Sequence, residues 1–476
     1  MVETWRPEPT LKNGVNSGKP TLSGKQKQTK MKKITIVSLV LLVGLNSFVK
    51  SQEKPSEVKY RRSSLHTMVI ESDKFPKKEV VLNAFNTAPF PDKYNDHQIG
   101  EKSFNPANYS LTAEEKAIVY KPSKMGNLLG AAASAAEIKI DSVSKELPYR
   151  IQKYLTKEKI ANKLVSKWFD RQVDGSFDGN LIADRGIFNA SFLETKTAQS
   201  SSDGQGLLKA AGLELIDNTF VVINKFNFVA NEPVAAVIRD IAKAEVAKSM
   251  AGKPQMLIDK ANKGVDAVYE KTKEGYSIWA TSYLYKLVWN DTVSNAFYTD
   301  LYMDKDHIEA KKKEAFDNSN LFRLEFVGDE SASGLIIFSL KEKRTEDQII
   351  ELATIRIVDN VYAKLQKKYD VFKTRTPLYT GNPITAKIGL KEGLEGGEKF
   401  DVLEQNIDPK TGVATYKSIG TIKVDKNLIW DNTFDAGQNL VAEIAPEGTA
   451  AAPVIDRTTF SGGSKYYSGL LIKQIK

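Results

Sequence analysis

The chain has 476 residues, with 68 Lys or Arg against 59 Asp or Glu and no cysteine. Without thiols it can build no disulfide framework, thiolate metal site, cysteine nucleophile or cysteine-borne lipid anchor. Its formal charge of +9 is uneven: residues 1–51 hold nine Lys or Arg and two Glu, so the remainder carries only +2 and gives no argument for nucleic acid.

Residues 1–30 are polar, rich in Lys, Gly and Pro, and show no apolar period, which predicts a disordered leader or a start codon set too early, with Met31 as the true start. Lys32 and Lys33 then precede the apolar run Ile34 to Leu45, followed by Asn46, Ser47 and Val49-Lys50-Ser51. A basic segment, a short apolar one and a small-residue end make residues 31–51 an expected export signal, cut before Gln52. About a dozen apolar residues at 1.5 Å each fall well short of the roughly 30 Å of a bilayer core, so the segment reads as removable. No later run has spanning length, and the expected address is the periplasm or cell surface of a Gram-negative bacterium.

Residues 52–125 read as an N-terminal extension, with a short β-run at Leu65 to Ile70, breaks at Pro76, Pro89 and Pro91, and a helix capped by Ser110. Residues 126–373 read as an α+β or α/β domain with a mixed sheet and packed helices. It opens with small residues from Gly126 to Leu147, and an amphipathic helix follows over Tyr154 to Phe169, apolar at Ile160, Leu164, Val165 and Trp168. A turn at Asp174 to Asn180 leads to helical Ala198 to Ile216 and a buried strand from Thr219 to Phe226. A long helical tract, Glu232 to Lys273, precedes an alternating strand through Tyr283, Tyr285, Leu287 and Trp289. Two strands, Leu321 to Val327 and Leu335 to Leu340, are expected around a turn at Gly328 to Gly334, then a helix from Glu346 to Tyr369. From residue 374 to 476 helical periodicity stops. Runs at Ile384 to Ile388, Lys399 to Leu403, Thr415 to Val424, Leu440 to Ile444 and Leu470 to Ile475, divided by Gly, Asn, Asp and Pro, predict a small all-β, barrel-like module.

Candidate chemistry is sparse. Asp174-x-Ser176-x-Asp178-Gly179 matches the first half of a calcium loop, but Ile182 and Arg185 stand where later ligands belong, which favours a plain turn. Asp92, Asp96 and His97 share one loop without a distant fourth ligand, and His66 and His307 have no signature around them. No nucleophile elbow or phosphate loop occurs beyond the leader. No catalytic residue, cofactor or metal is therefore assigned. The aromatic cluster from Tyr276 to Tyr302 is the densest in the chain, and Tyr283, Tyr285 and Trp289 are the candidate binding surface, weighed against packing of the same side chains beneath helices.

The order of a helix ending at Trp168-Phe169, Leu181-Ile-Ala-Asp-Arg185, a helix closing on Leu208-Lys-Ala-Ala-Gly212 and the strand Phe220-Val-Val-Ile resembles the periplasmic α/β domain of the CsgG-like curli secretion family. Lys387-Ile-Gly389-Leu-Lys-Glu-Gly393-Leu-Glu-Gly396-Gly397-Glu-Lys-Phe400-Asp-Val402 with Ile419-Gly420-Thr-Ile-Lys-Val424 resembles the C-terminal β-barrel of FlgT-type flagellar assembly proteins. Ser51-Gln52 is similar to the cleavage point in a secreted family of Bacteroidetes-type bacteria. These resemblances imply an envelope-assembly setting. They do not imply a channel, because the lipidated cysteine and inserting hairpins of pore-forming relatives have no counterpart here. The expectation is a non-enzymatic secreted envelope protein that assembles or tethers a surface complex through envelope proteins. The alternative is a glycan- or peptidoglycan-binding, even hydrolytic, one.

Overall fold

The computed structural model describes residues 63–119, 142–179, 181, 212–337, 345–408, 414–434, 436 and 455–475, all within one compact unit. The leader, the export signal, most of the small-residue stretch, residues 198–211 and the expected strand at 440–444 lie outside them. In chain order the elements are β1 (Ser64–Ile70), α1 (Lys78–Thr87), β2 (Asn95–Asp96), β3 (Ser103–Phe104), α2 (Ala113–Val119), α3 (Ser142–Lys157) and α4 (Ile160–Trp168). There follow β4 (Thr219–Ala230), α5 (Asn231–Ser249), α6 (Gln255–Thr272), β5 (Gly275–Leu287), α7 (Asp291–Ala296), α8 (Ala310–Asn318), β6 (Leu324–Ile337) and α9 (Glu346–Lys368). The last strands are β7 (Thr376–Pro377), β8 (Thr380–Gly381), β9 (Ile384–Ala386), β10 (Lys399–Ile407), β11 (Ala414–Val424), β12 (Thr458–Ser461) and β13 (Leu471–Gln474).

The first sheet is mixed and runs β2-β1-β4-β5-β6, with β3 also on β1. β1 is parallel to β2, β3 and β4, whereas β4, β5 and β6 pair antiparallel. Because strand side chains alternate between faces, Val221, Ile223, Tyr283 and Tyr285 enter one core with α3 and α4, while Phe220, Val222, Phe226 and Leu284 enter a second with α1 and α9. Both faces are thus covered, which is why β4 begins as a run of buried residues instead of an alternation. The stretch expected to be an extension is integral to this layer, since β1 lies inside the sheet and α1 packs on α9.

Three expected boundaries move. The helix over Tyr154 to Phe169 is two helices, divided at Lys159 in the left-handed conformation (φ 53°), although Ile160, Leu164, Val165 and Trp168 are buried as the spacing requires. The α2 cap is Thr112 and not Ser110: the Thr112 hydroxyl accepts from Glu115 N–H at 3.2 Å and the Glu115 carboxylate accepts from Thr112 N–H at 2.7 Å. Gly328 to Gly334 form no turn. They lie inside β6, which pairs with β5 from Leu287↔Leu324 to Gly275↔Ile337 and takes up its glycine at an irregularity beside Leu284 and Tyr285.

The module after α9 is all-β, in the order β7-β13-β10-β11-β12-β9-β8, antiparallel throughout and curled into a half-barrel. Both edge strands come from one segment, Thr376–Gly381, which bends across the open side and brings Leu378 N–H to Leu470 O (2.7 Å) and Tyr379 N–H to Thr385 O (2.7 Å). The curl encloses a core of Leu378, Ile384, Val402, Ile422, Phe460 and Ile472.

Candidate functional site

The side chains singled out in the sequence do not converge. Tyr283, Tyr285 and Trp289 are 8%, 1% and 7% exposed and belong to the core under α3 and α4, so the binding-surface assignment is corrected in favour of packing. Trp289 follows the end of β5, so alternation does not align it with the tyrosines. Its ring meets Phe297 at 5.7 Å and Phe322 at 6.3 Å instead.

At the half-matched calcium loop, Asp174 Oδ1 accepts from Ser176 N–H (2.8 Å) and Ser176 Oγ (2.7 Å), which closes a side-chain-stabilised turn and holds the carboxyl below its ordinary range. In the Asp92 loop, Asp96 accepts from Gln98 N–H at 3.0 Å, but His97 turns inward, stacks on Trp168 at 4.5 Å and donates from Nε2 to Leu164 O at 2.9 Å. His66 is fully buried in β1, with Nδ1 2.7 Å from the Gln98 side-chain oxygen, and burial lowers its pKa to about 4. His307 is exposed and sits 2.9 Å from Asp304. Among the described residues no three His, Asp or Glu side chains gather as metal ligands would.

What the fold does gather is a cavity of about 700 Å³ where the half-barrel meets α9 and the loop after Pro91. Lys93 comes from that loop; Asp359, Tyr362, Ala363 and Gln366 from successive turns of α9; Arg375, Tyr379, Lys387, Lys391 and Glu392 from the start of the β-module; and Trp430 and Asn432 from the loop after β11. The i, i+3, i+4 and i+7 spacing on α9 brings its four residues to one side of the helix.

Two ion pairs span the joint. Lys93 Nζ lies 3.2 Å from Glu392, and Lys391 Nζ lies 3.4 Å from Asp359, with three of the four side chains less than a fifth exposed. Glu392 also accepts from Asn432 Nδ2 (2.8 Å) and Gly389 N–H (2.6 Å), while Asn432 Oδ1 accepts from Lys391 N–H (2.8 Å). Gly389 is required here, because a Cβ would run into the Trp430 carbonyl oxygen, to which Leu390 N–H donates at 3.0 Å. Burial raises Asp359 to about 6 against the opposing pull of Lys391, and burial lowers Lys93 despite Glu392. Arg375 lies 3.9 Å over the Tyr416 ring and Lys387 5.0 Å from the centre of the Tyr379 ring, yet neither forms an ion pair or hydrogen bond among the described residues.

No family model matches the chain, and no curated protein matches it. The sequence reading missed this cavity because its lining comes from four separated segments with no spacing between them to read. The Gly-rich run that carried the FlgT resemblance, Lys387 to Gly397, includes three of its residues.

Proposed function

We propose that this is a non-enzymatic binding protein exported to the cell envelope by residues 31–51, where it helps assemble or tether a surface complex, and that the joint cavity is its ligand site. The cavity carries the reading: about 700 Å³ is the size of an ordinary small-molecule site, and it is walled by both the sheet-and-helix layer and the half-barrel. Its two carboxylates Asp359 and Glu392 are each tied to a lysine, an arrangement suited to fixing the joint and not to moving a proton between substrate atoms. The CsgG-like and FlgT-like resemblances support the setting. The helix pair α5 and α6 supports a protein partner, because it leaves apolar Ile241 and Met256 65% and 77% exposed.

A second reading, glycan or peptidoglycan binding, is favoured by Trp430 and Tyr379 in the cavity wall, since aromatic faces take sugar rings. Crosslinking in envelope fractions, beside thermal-shift titration of the purified protein with peptidoglycan fragments and oligosaccharides, separates the two. Stable protein partners without a sugar-induced shift support assembly alone, and a shift abolished by the cavity-filling Ala363→Phe supports the glycan reading. If neither partners nor a shift is found, both are refuted.

A further inference from the structure

Resting on the reading of the joint as a ligand site, we infer that the cavity takes an acidic sugar, a hydroxylated ring that carries an oxyanion, held by Arg375 and Lys387. The argument begins with charge. Lys93 and Lys391 are neutralised across the joint by Glu392 and Asp359 at 3.2 and 3.4 Å. The remaining cations on the wall, Arg375 and Lys387, have aromatic neighbours but no carboxylate within ion-pair distance among the described residues. The third acid on the wall, Asp92, is exposed and already has a partner. The lining is therefore left with two cations outside any ion pair: Lys387, which feels the field of Asp456 although that carboxylate is itself paired with Arg457 at 2.6 Å, and Arg375, a guanidinium whose fork matches a carboxylate or phosphate.

Size and polarity narrow the anion. A bare inorganic ion would occupy a small fraction of about 700 Å³. Trp430, Pro377 and Ala363 supply apolar wall, and Gln366, which donates its amide to Tyr94 Oη at 2.9 Å, keeps its carbonyl oxygen for a hydroxyl donor. An apolar ring face, hydroxyl groups and one oxyanion together describe a uronate or a sugar phosphate.

The test is calorimetric titration of the full chain with sodium glucuronate, glucose 6-phosphate, glucose and inorganic phosphate, each to about 20 mM, the weak-binding range. The expected result is binding of one or both acidic sugars, with glucose and inorganic phosphate weaker by about tenfold or more. The glucuronate and glucose 6-phosphate arms show which oxyanion is preferred. Arg375→Gln and Lys387→Met should each weaken binding by about ten- to a hundredfold while circular dichroism stays that of the wild type. Because Arg375→Gln also loses its stacking on Tyr416, Lys387→Met is the independent check. Glucose bound as tightly as glucuronate, or acidic sugars unaffected by both variants, would refute the assignment and leave the cavity a ligand site of another class. If none of the four probes binds, and Ala363→Phe has no effect on any envelope-derived shift, the underlying reading fails as well.

Discussion

Gly328 shows how one residue sets the path of a strand. It has φ of 157° within β6, where the ladder to β5 shifts register, and a Cβ there would run into the hydroxyl and ring of Tyr369, whose Oη donates to Asp329 O at 2.9 Å. Gly328→Ala is therefore expected to lower unfolding free energy in urea by about 1–3 kcal/mol, and adding Tyr369→Ala should restore part of it. A Gly328→Ala variant as stable as the wild type would show that the tyrosine moves aside freely. The sequence misleads at this point for a physical reason: Gly328 and Gly334 with two acids between them have turn chemistry, and only the neighbouring strand, which pairs Asp329 with Tyr283 and Glu330 with Ser282, pulls them into extended form. Trp168 is the contrary case. Its helical spacing with Ile160, Leu164 and Val165 predicts burial, and the indole is fully enclosed with its N–H donating to Thr219 Oγ1 at 2.9 Å.

Among the elements, α5 and α6 stand apart. They are inserted between β4 and β5, whose pairing runs unbroken from Phe220↔Lys286 to Ala230↔Tyr276, so the ladder already brings the two strand ends together without them. No described residue of α6 is buried, and in α5 only Asn231 and Ala235 are. Replacing residues 232–274 by a short Asn-Gly turn should thus leave the unfolding free energy in urea almost unchanged, within about 1 kcal/mol of the parent. Loss of cooperative unfolding in that deletion would mean the helix pair is structural. The helical character of this tract was readable from its composition. Its division at Met250 to Pro254, and its role as an insert in a hairpin, were not, because strand pairing across more than forty residues leaves no local mark. The second sheet was legible to a similar depth: β9 and β13 fall within expected runs, β11 begins one residue before its run and β10 continues four residues past its own, whereas β12 and the two-residue edges are too short to rise above their turn-rich surroundings.

At the scale of the whole molecule, two buried groups oppose one another in the response to acid. Asp359, ordinarily near 3.8, is raised to about 6 by burial, with Glu392 adding to the shift and Lys391 and Lys93 resisting it, so the native state keeps a proton that the unfolded chain has lost. Stability from this group falls as pH rises from about 4 to 6. His66, ordinarily near 6.5, is lowered to about 4 by burial, so the unfolded chain binds a proton that the native state refuses, and stability from this group rises with pH across about 4 to 6.5. Urea titrations across that window should show Asp359→Asn rising more steeply with pH than the wild type and His66→Gln more gently. Each difference should reach at most about 1.4 kcal/mol per pH unit. Variants that run parallel to the wild type would refute the assignment. The α+β layer and the all-β module were readable from the change of texture near residue 374, while the joint between them was not, since Lys93 and Glu392 meet across 299 positions of chain. The same separation in the first sheet bears on how the protein is made. Ser64 of β1 lies beside Thr219 of β4, 155 residues later, with only the two-residue β2 and β3 on its other edge. At roughly 5–20 residues per second of synthesis, that strand waits about 8–30 s for its main neighbour. During this interval its apolar side chains Leu65, Met68, Val69 and Ile70 can meet only the parts of their cores that come earlier in the chain, on α1, α3 and α4, and lack the central strand that completes them, which makes the nascent amino-terminal segment a natural substrate for holding chaperones and the stage at which aggregation would begin.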